Sequence, residues 1–308
     1  MDAAWRKIRG NGIQSAALET RLAIDVFDRN AYRNIRRIQS QLRKNTFKFD
    51  PQKGVLKKKS SGGHRGIVMA SVENRIVERA LLNILQDKTE FIKKVNMQST
   101  SVGGVPNRSV PHGLALIDQA MKEGHHYFIR SDISGFFDGV PRKTVIQNVA
   151  KHVDDKKIIK LLEMATQVSL HNEEVLGENR KVFPTDEDGI AQGSPLSPLF
   201  GNILLYEFDQ KFNDLGIICV RFIDDFILLG KTAKSTKKAF RSAEKYLLGM
   251  KLECHDPFKE HSNSDKSETG DVENGFDFLG YNIRPGLIQP SKKSRKNILI
   301  KVDEQLQY

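Results

Sequence analysis

The sequence predicts an α+β fold in which antiparallel hairpins are flanked by amphipathic helices. Two observations lead there. Apolar runs broken by short turns occur at residues 47–68, 219–229 and 275–281, the pattern of β-hairpins. Between them, apolar residues recur every three or four positions, the pattern of helices with one buried face. At 308 residues the chain has room for one large or two moderate lobes around a substantial core.

Composition narrows the functional classes. The hydrophobic fraction of 39% and charged fraction of 28% are those of a soluble globular protein. A net charge of +11 favours a polyanionic partner, with nucleic acid the leading candidate. The charge is concentrated: from Arg29 to Arg65 there are twelve Lys or Arg and a single acid, Asp50. No apolar stretch approaches the roughly 18 residues of a membrane span, and Met1-Asp2-Ala3-Ala4-Trp5 has no signal-peptide pattern, so a cytoplasmic location away from membranes is expected. Cys219 and Cys254 are the only cysteines, without metal-type spacing, which fits a reducing compartment.

In chain order, Ile24, Phe27, Ala31, Ile35, Ile38 and Leu42 mark one apolar helix face, broken near Asp28 to Asn30, with Arg29, Arg33, Arg36, Arg37 and Arg43 opposite. Those arginines are either a solvated face or a phosphate-facing one. Residues 47–68 read as a hairpin with a flexible basic tip at Ser60-Ser61-Gly62-Gly63, able to fold Lys and Arg over a triphosphate. Glu73 to Lys94 reads as one structural helix, 99–107 as a loop and Leu114 to Met121 as a helix. Tyr127 to Asp132 is a short apolar strand ending on an acid. Two helices follow over 145–150 and 158–168, and His171 to Asp188 reads as an exposed polar loop. A Gly- and Pro-rich turn at 189–195 then feeds a helix, an arrangement that lets a substrate approach the backbone closely. Beyond the 219–229 hairpin come a helix over 235–250, a polar loop over 256–274, a last strand or hairpin at 275–281 and a basic patch at 291–296.

Two stretches carry chemistry. In Cys219-Val220-Arg221-Phe222-Ile223-Asp224-Asp225-Phe226-Ile227-Leu228-Leu229, adjacent carboxylates sit at the tip of an apolar hairpin. Alone they are explained by a solvated turn, since Asp favours turns. Asp132, at the end of another strand, changes the balance: separated acids on strand ends suit two-metal phosphoryl transfer, in which carboxylates bridge ions about 3.5–4 Å apart. The cations of the basic hairpin then handle a triphosphate. This reading reaches a nucleotidyl transferase acting on nucleic acid.

Over residues 47–281 the sequence resembles a bacterial reverse transcriptase of the group II intron and retron-like lineage, most closely the free-standing, defence-associated enzymes. Five stretches match in order: Lys57-Lys58-Lys59 to Arg65-Gly66-Ile67 with Ser71 to Leu81; Asp132-Ile133-Ser134-Gly135-Phe136-Phe137-Asp138; Ala191-Gln192-Gly193-Ser194-Pro195-Leu196-Ser197-Pro198, where the family usually has Pro-Gln-Gly; Phe222-Ile223-Asp224-Asp225, where the family usually has Tyr first; and Gly275 to Gly280. The resemblance implies a right-hand polymerase fold with fingers over 1–122 and a palm over 123–286, of which 139–188 is partly fingers or an insert. Residues 287–308 are then a basic tail or the start of a thumb. Because 28 residues follow Gly280, the thumb is expected to be short or absent, with a partner protein or second copy completing it.

Residue by residue, the resemblance implies that Asp132, Asp224 and Asp225 bind two Mg²⁺, or Mn²⁺ in its place, with the Ile133 carbonyl as a further ligand. Phe137 falls at the steric gate that selects dNTPs, and Gln192 lines the nucleotide pocket. Lys58 and Arg65 form the triphosphate clamp, with Lys57 or Lys59 as alternatives to Lys58. Lys259 is the cation that protonates pyrophosphate. The implied activity is RNA-directed DNA synthesis in the bacterial cytoplasm, in anti-phage defence with a noncoding RNA. The expected partners are template RNA, dNTPs and DNA product. The competing expectation is an RNA-binding, maturase-like scaffold whose polymerase site is vestigial.

Overall fold

The computed structural model describes the chain except for residues 60–61, 186–187, 216, 260–265 and 307–308, and the side chains of 304 and 305. It opens with three helices, α1 (Asp2–Ile13), α2 (Leu18–Asp28) and α3 (Ala31–Arg43), then the hairpin of β1 (Lys53–Lys58) and β2 (His64–Met69). Helices α4 (Val72–Lys88), α5 (Glu90–Met97) and α6 (Val110–Lys122) lead to β3 (Tyr127–Asp132). There follow α7 (Phe136–Gly139), α8 (Arg142–Ala150), α9 (Lys156–Thr166), α10 (Glu173–Leu176), α11 (Ser197–Leu204) and α12 (Tyr206–Asp214). The hairpin of β4 (Ile218–Phe222) and β5 (Asp225–Gly230) precedes α13 (Ala233–Gly249) and β6 (Glu268–Asp271). Strands β7 (Phe276–Phe278), β8 (Tyr281–Arg284) and β9 (Leu287–Pro290) and helix α14 (Lys292–Leu306) close the chain.

The chain forms two compact units. The first comprises Met1–Val95 and Phe137–Leu204, the second Asn96–Phe136 and Leu205–Tyr308. In the first, α1, α2 and α9 all pack against α4, and Trp5 meets Phe27 with ring centroids 4.7 Å apart. The expected break between α2 and α3 is present, at Arg29 and Asn30. The single helix expected over 73–94 is instead two. Thr89, buried and extended (φ −107, ψ 113), ends α4, while its carbonyl accepts from Lys93 and starts the next turn; a β-branched residue tolerates that extended form well.

The exposed loop expected over 171–188 is also corrected. Residues 173–182 form α10 and a 3₁₀ turn, and Leu176 and Phe183 join Val68, Val168 and Leu170 in a hydrophobic core. Two apolar side chains among many polar ones were enough to anchor the segment, helped by Asn172, whose amide both accepts from Gly54 N–H (2.8 Å) and donates to Gly54 O (2.9 Å). The tip residues Ser60 and Ser61 lie outside the described residues.

The second unit is organised on a four-stranded antiparallel sheet of order β4-β5-β3-β6. Strand β5 reads Phe226-Ile227-Leu228-Leu229 without alternation, and all four residues are buried. Its two faces explain this. Ile227 and Leu229 meet Leu114 and Ile117 of α6 in one core, while Phe226 on the opposite face meets Phe240 of α13 and Phe208 of α12. The polar loop expected over 256–274 is corrected in its second half, where Glu268–Asp271 pairs with β3 and Arg130 bonds Glu268 at 2.9 Å; residues 260–265 lie outside the described residues. The hairpin expected at 275–281 is extended to the three-stranded sheet β7-β8-β9.

Candidate active site

In the second unit, β3 and β5 are registered so that Asp132 lies directly opposite Asp225. Like charges in that position repel across the sheet. Phe222 pairs with Asp225 across β4 and β5, so the hairpin closes on two residues, Ile223 and Asp224. Ile223 takes φ 62, the left-handed value that such tight turns require and that a β-branched side chain resists. The Ile133 N–H donates to the Asp224 carbonyl at 3.1 Å, tying the end of β3 to the turn. Asp132, Ile133, Asp224 and Asp225 are thus brought together at one end of the sheet.

Repulsion among these acids is only partly relieved. The Asp225 carboxyl is pushed up to about 6, first by its partial enclosure, then by Asp224 and Asp132, against the opposing pull of Lys266 and Arg130. Asp132 is buried; Lys266 Nζ bonds its Oδ2. Its Oδ1 accepts no hydrogen bond among the described residues. The His255 ring nitrogen Nε2 stands 3.2 Å from that oxygen but is hydrogen-bonded instead with Ser134 Oγ, at 3.0 Å. Among the described residues no three His, Cys, Asp or Glu groups close around a common point in this arrangement. An orphaned buried carboxylate oxygen beside a mutually repelling acid pair nevertheless fits a divalent cation, because all-oxygen donors suit Mg²⁺ or Mn²⁺ and added positive charge removes the repulsion.

Lys266 escaped the sequence reading, which assigned a cation here to Lys259. The structure brings Lys266, not Lys259, to Asp132; Lys259 lies on a turn where its N–H meets the Asp256 carbonyl (3.4 Å) and its charge acts on Asp256. The missed signal was strand pairing. Glu268 to Asp271 runs beside β3, which carries the segment just before it back to the acid. The segment at 253–255 is held there too: Ser134 N–H donates to Glu253 O (2.7 Å), His255 N–H to Asp132 O (3.1 Å) and Ser131 Oγ to His255 O (2.7 Å).

The first unit holds a second cluster. Lys57 pairs directly with Arg65 across β1 and β2, and Lys58 with His64. Strand alternation therefore puts Lys58 on the face opposite Arg65 and corrects the expected pairing: Lys57 and Lys59 share the Arg65 face. Arg65 and Lys59 both act on Asp138, whose carboxyl is raised by partial burial and lowered again by Gln192 and those two cations. Gln192 Nε2 lies 3.4 Å from Asp138 Oδ1, and the half-buried Phe137 accepts the Ile190 N–H at 2.8 Å through its carbonyl. Arg65, Phe137 and Gln192 thus belong to one neighbourhood of this unit.

The Gln192 loop is strapped from below. Its carbonyl accepts from Val68 N–H at 2.9 Å, and Gly193 (φ 127) approaches so closely that a Cβ there would lie 2.6 Å from Val68 O. Ser194 Oγ donates at 2.9 Å to Glu78, which is 2% exposed. Burial pushes the Glu78 carboxyl up to about 7, opposed by the Ser194 bond and the Arg75 charge. The sequence signal for Glu78 was its place within the buried stripe of α4, alongside Ile76, Val77, Ala80 and Leu81.

A sheet with one acid at the end of an interior strand and two more at the adjoining hairpin turn is the architecture of a polymerase palm. The chain belongs to the reverse transcriptase (RNA-dependent DNA polymerase) family, whose profile matches residues 55–283. It is similar to protein YkfC of Escherichia coli strain K12, with 25% identity over 311 aligned residues covering 89% of this chain and 74% of that protein. It is also similar to the group II intron-encoded protein LtrA of Lactococcus lactis subsp. cremoris, with 26% identity over 187 residues, 60% of this chain but 29% of LtrA. Among solved structures, apo telomerase from Candida tropicalis shares the fold at a TM-score of 0.53 and 16% identity, covering 80% of this chain and 49% of that one. Fold and family agree with the right-hand fingers-and-palm architecture. No helix among the described residues is long and apolar enough to cross a membrane.

Proposed function

We propose that this chain extends a primer on an RNA template with dNTPs, by phosphoryl transfer at Asp132, Asp224 and Asp225. One observation carries the reading: Asp132 and Asp225 face each other in register, with Asp224 at the turn bonded to Ile133. In this reading the three carboxylates, with the Ile133 carbonyl, hold two Mg²⁺ ions, for which Mn²⁺ can substitute. Bound there, such ions activate the attacking hydroxyl and stabilise the leaving oxygen. The chain's own groups supply the rest. Arg65 with Lys57 or Lys59 neutralises the triphosphate, Gln192 orients the nucleotide, and Phe137 excludes a 2′-hydroxyl. Lys266, which already reaches Asp132, takes the part assigned from sequence to Lys259 and gives a proton to the departing pyrophosphate. Asp224→Asn is expected to abolish dNTP incorporation on a primed RNA template while leaving the circular dichroism spectrum unchanged; retained synthesis overturns the reading.

The finer proposal is a defence polymerase of the bacterial cytoplasm that works with a noncoding RNA. Support comes from the resemblance described above and from the basic face of α3, where Arg33 and Arg36 are exposed and suit phosphate contacts, while Arg37 is paired with Glu73. Ile298, Leu299 and Val302 are exposed on α14, a surface for a partner protein or a second copy to cover. Sequencing the nucleic acid that copurifies with the protein tests this: one recurrent structured RNA with its complementary DNA is expected, and random host RNA overturns it.

A further inference from the structure

Beneath the Asp224-Asp225 turn lies Arg221, the largest fully buried side chain among the described residues. An arginine at 0% exposure must satisfy its charge and its N–H donors inside the protein. Asp209 of α12, itself 1% exposed, accepts from Nε at 2.8 Å and also from Nη2. That fork leaves the rest of the guanidinium directed elsewhere. Nη1 donates to the carbonyl of Ile223 at 2.8 Å, and Nη2 to Ser101 Oγ at 3.1 Å.

The Ile223 carbonyl belongs to the residue with the costly backbone. Glycine is the residue of choice at a left-handed position opening a two-residue hairpin turn, and isoleucine holds it only where its surroundings impose it. The surroundings are specific. The 100–103 segment pairs along β4, with Arg221 N–H donating to Thr100 O and Val102 N–H to Arg221 O, both at 2.9 Å. Gly103 then comes so close that a Cβ would lie 2.7 Å from Ile223 N. One face of the turn is therefore pressed by a glycine backbone while its carbonyl is held by a guanidinium.

We propose that Arg221 is a positioning residue for the metal-holding turn: clamped by Asp209 and Ser101, it fixes the Ile223 carbonyl and with it the direction in which Asp224 and Asp225 present their carboxylates. The inference rests on the reading that those carboxylates bind divalent metal. A buried ion pair replaced by apolar groups of similar volume often leaves stability unharmed, so the fold and the positioning role are separable.

Two variants test it, Asp209→Leu/Arg221→Met and Arg221→Lys. The first removes the ion pair whole; in the second, a single ammonium cannot serve both the Asp209 fork and the Ile223 carbonyl. Each is compared with wild type for thermal unfolding, for Mn²⁺ binding to the protein alone by electron paramagnetic resonance, and for the Mg²⁺ dependence of dNTP incorporation. The expected result is a folded protein whose Mn²⁺ affinity falls by roughly tenfold or more, as for other groups that orient metal ligands, with a matching rise in the Mg²⁺ requirement and a lowered kcat. Adding Ile223→Gly to the double variant is expected to restore part of that affinity, because glycine adopts the turn without the guanidinium. Folded variants with wild-type Mn²⁺ binding and Mg²⁺ dependence overturn the proposal. Loss of the folded state in both assigns the cluster to architecture alone and overturns it equally. A wild-type protein that neither binds Mn²⁺ nor incorporates dNTPs is a failure of the polymerase reading, a different outcome from an active wild type beside unaffected variants.

Discussion

Replacing Glu78 with glutamine is expected to stabilise the first unit at pH 8 while abolishing a pH dependence present in the wild type. The Glu78 carboxyl is 2% exposed, so solvent screening takes little from its shift. Its pKa rises from 4.5 to about 7, with desolvation the leading cause. The folded carboxyl therefore keeps its proton where the unfolded one has lost it. Stability from this group is fully present below about pH 4.5, is lost as pH rises through about 7, and is level beyond. At about 1.4 kcal/mol per pKa unit the full span is about 3 kcal/mol. The amide of the Glu78→Gln variant carries no charge and keeps an oxygen for the Ser194 hydroxyl, so it escapes the penalty. By the usual scaling the variant melts roughly 6–12 °C higher at pH 8 and close to wild type at pH 4.5. Trp5 is the sole tryptophan, buried against Phe27 in the same unit, and its fluorescence during urea unfolding at pH 4.5, 6, 7 and 8 reads that unit selectively. Parallel pH profiles for the two proteins would refute the argument.

Further outcomes are expected at neighbouring positions. Phe137→Ala relaxes the choice of dNTP over rNTP, read by parallel incorporation of the two sets; unchanged discrimination removes Phe137 from the gate. Lys266→Ala lowers kcat by roughly 10²-fold, the scale of a lost general acid, while Lys259→Ala changes it little; the reverse ranking in single-turnover assays restores the sequence assignment. Gly193→Ala forces a Cβ toward Val68 O at an unfavourable φ and destabilises the first unit by about 1–3 kcal/mol, measured by the Trp5 signal.

Much of this site was legible because period and punctuation coincide with chemistry. Asp132 ends an apolar strand, and Asp224-Asp225 interrupts another, so both were visible as acids where a strand would not otherwise place them. Phe137 and Gln192 followed from the family resemblance. What escaped lies in pairing, which a single sequence does not encode locally. Lys58 lost its place beside Arg65 because the β1–β2 register, not the spacing of seven, decides which cations share a face. Lys266 was hidden in a polar stretch whose position is set by β6 joining β3. The burial of Arg221 was hidden too, since a charged residue in a strand ordinarily signals a solvated edge, and only Asp209, twelve residues upstream on a helix, reveals otherwise.

Strand β3 lies inside its sheet, yet both of its neighbours come later in the chain: β5 opposite it begins at Asp225 and β6 at Glu268. Asp132 must therefore wait for Asp225 while the whole intervening segment is made. At a synthesis rate of about 5–20 residues per second, that leaves an apolar strand unpaired on the ribosome for roughly 5–20 s. The acid that ends it is therefore made without its counterpart, and the pairing of Asp132 with Asp225 becomes available only once most of the chain exists.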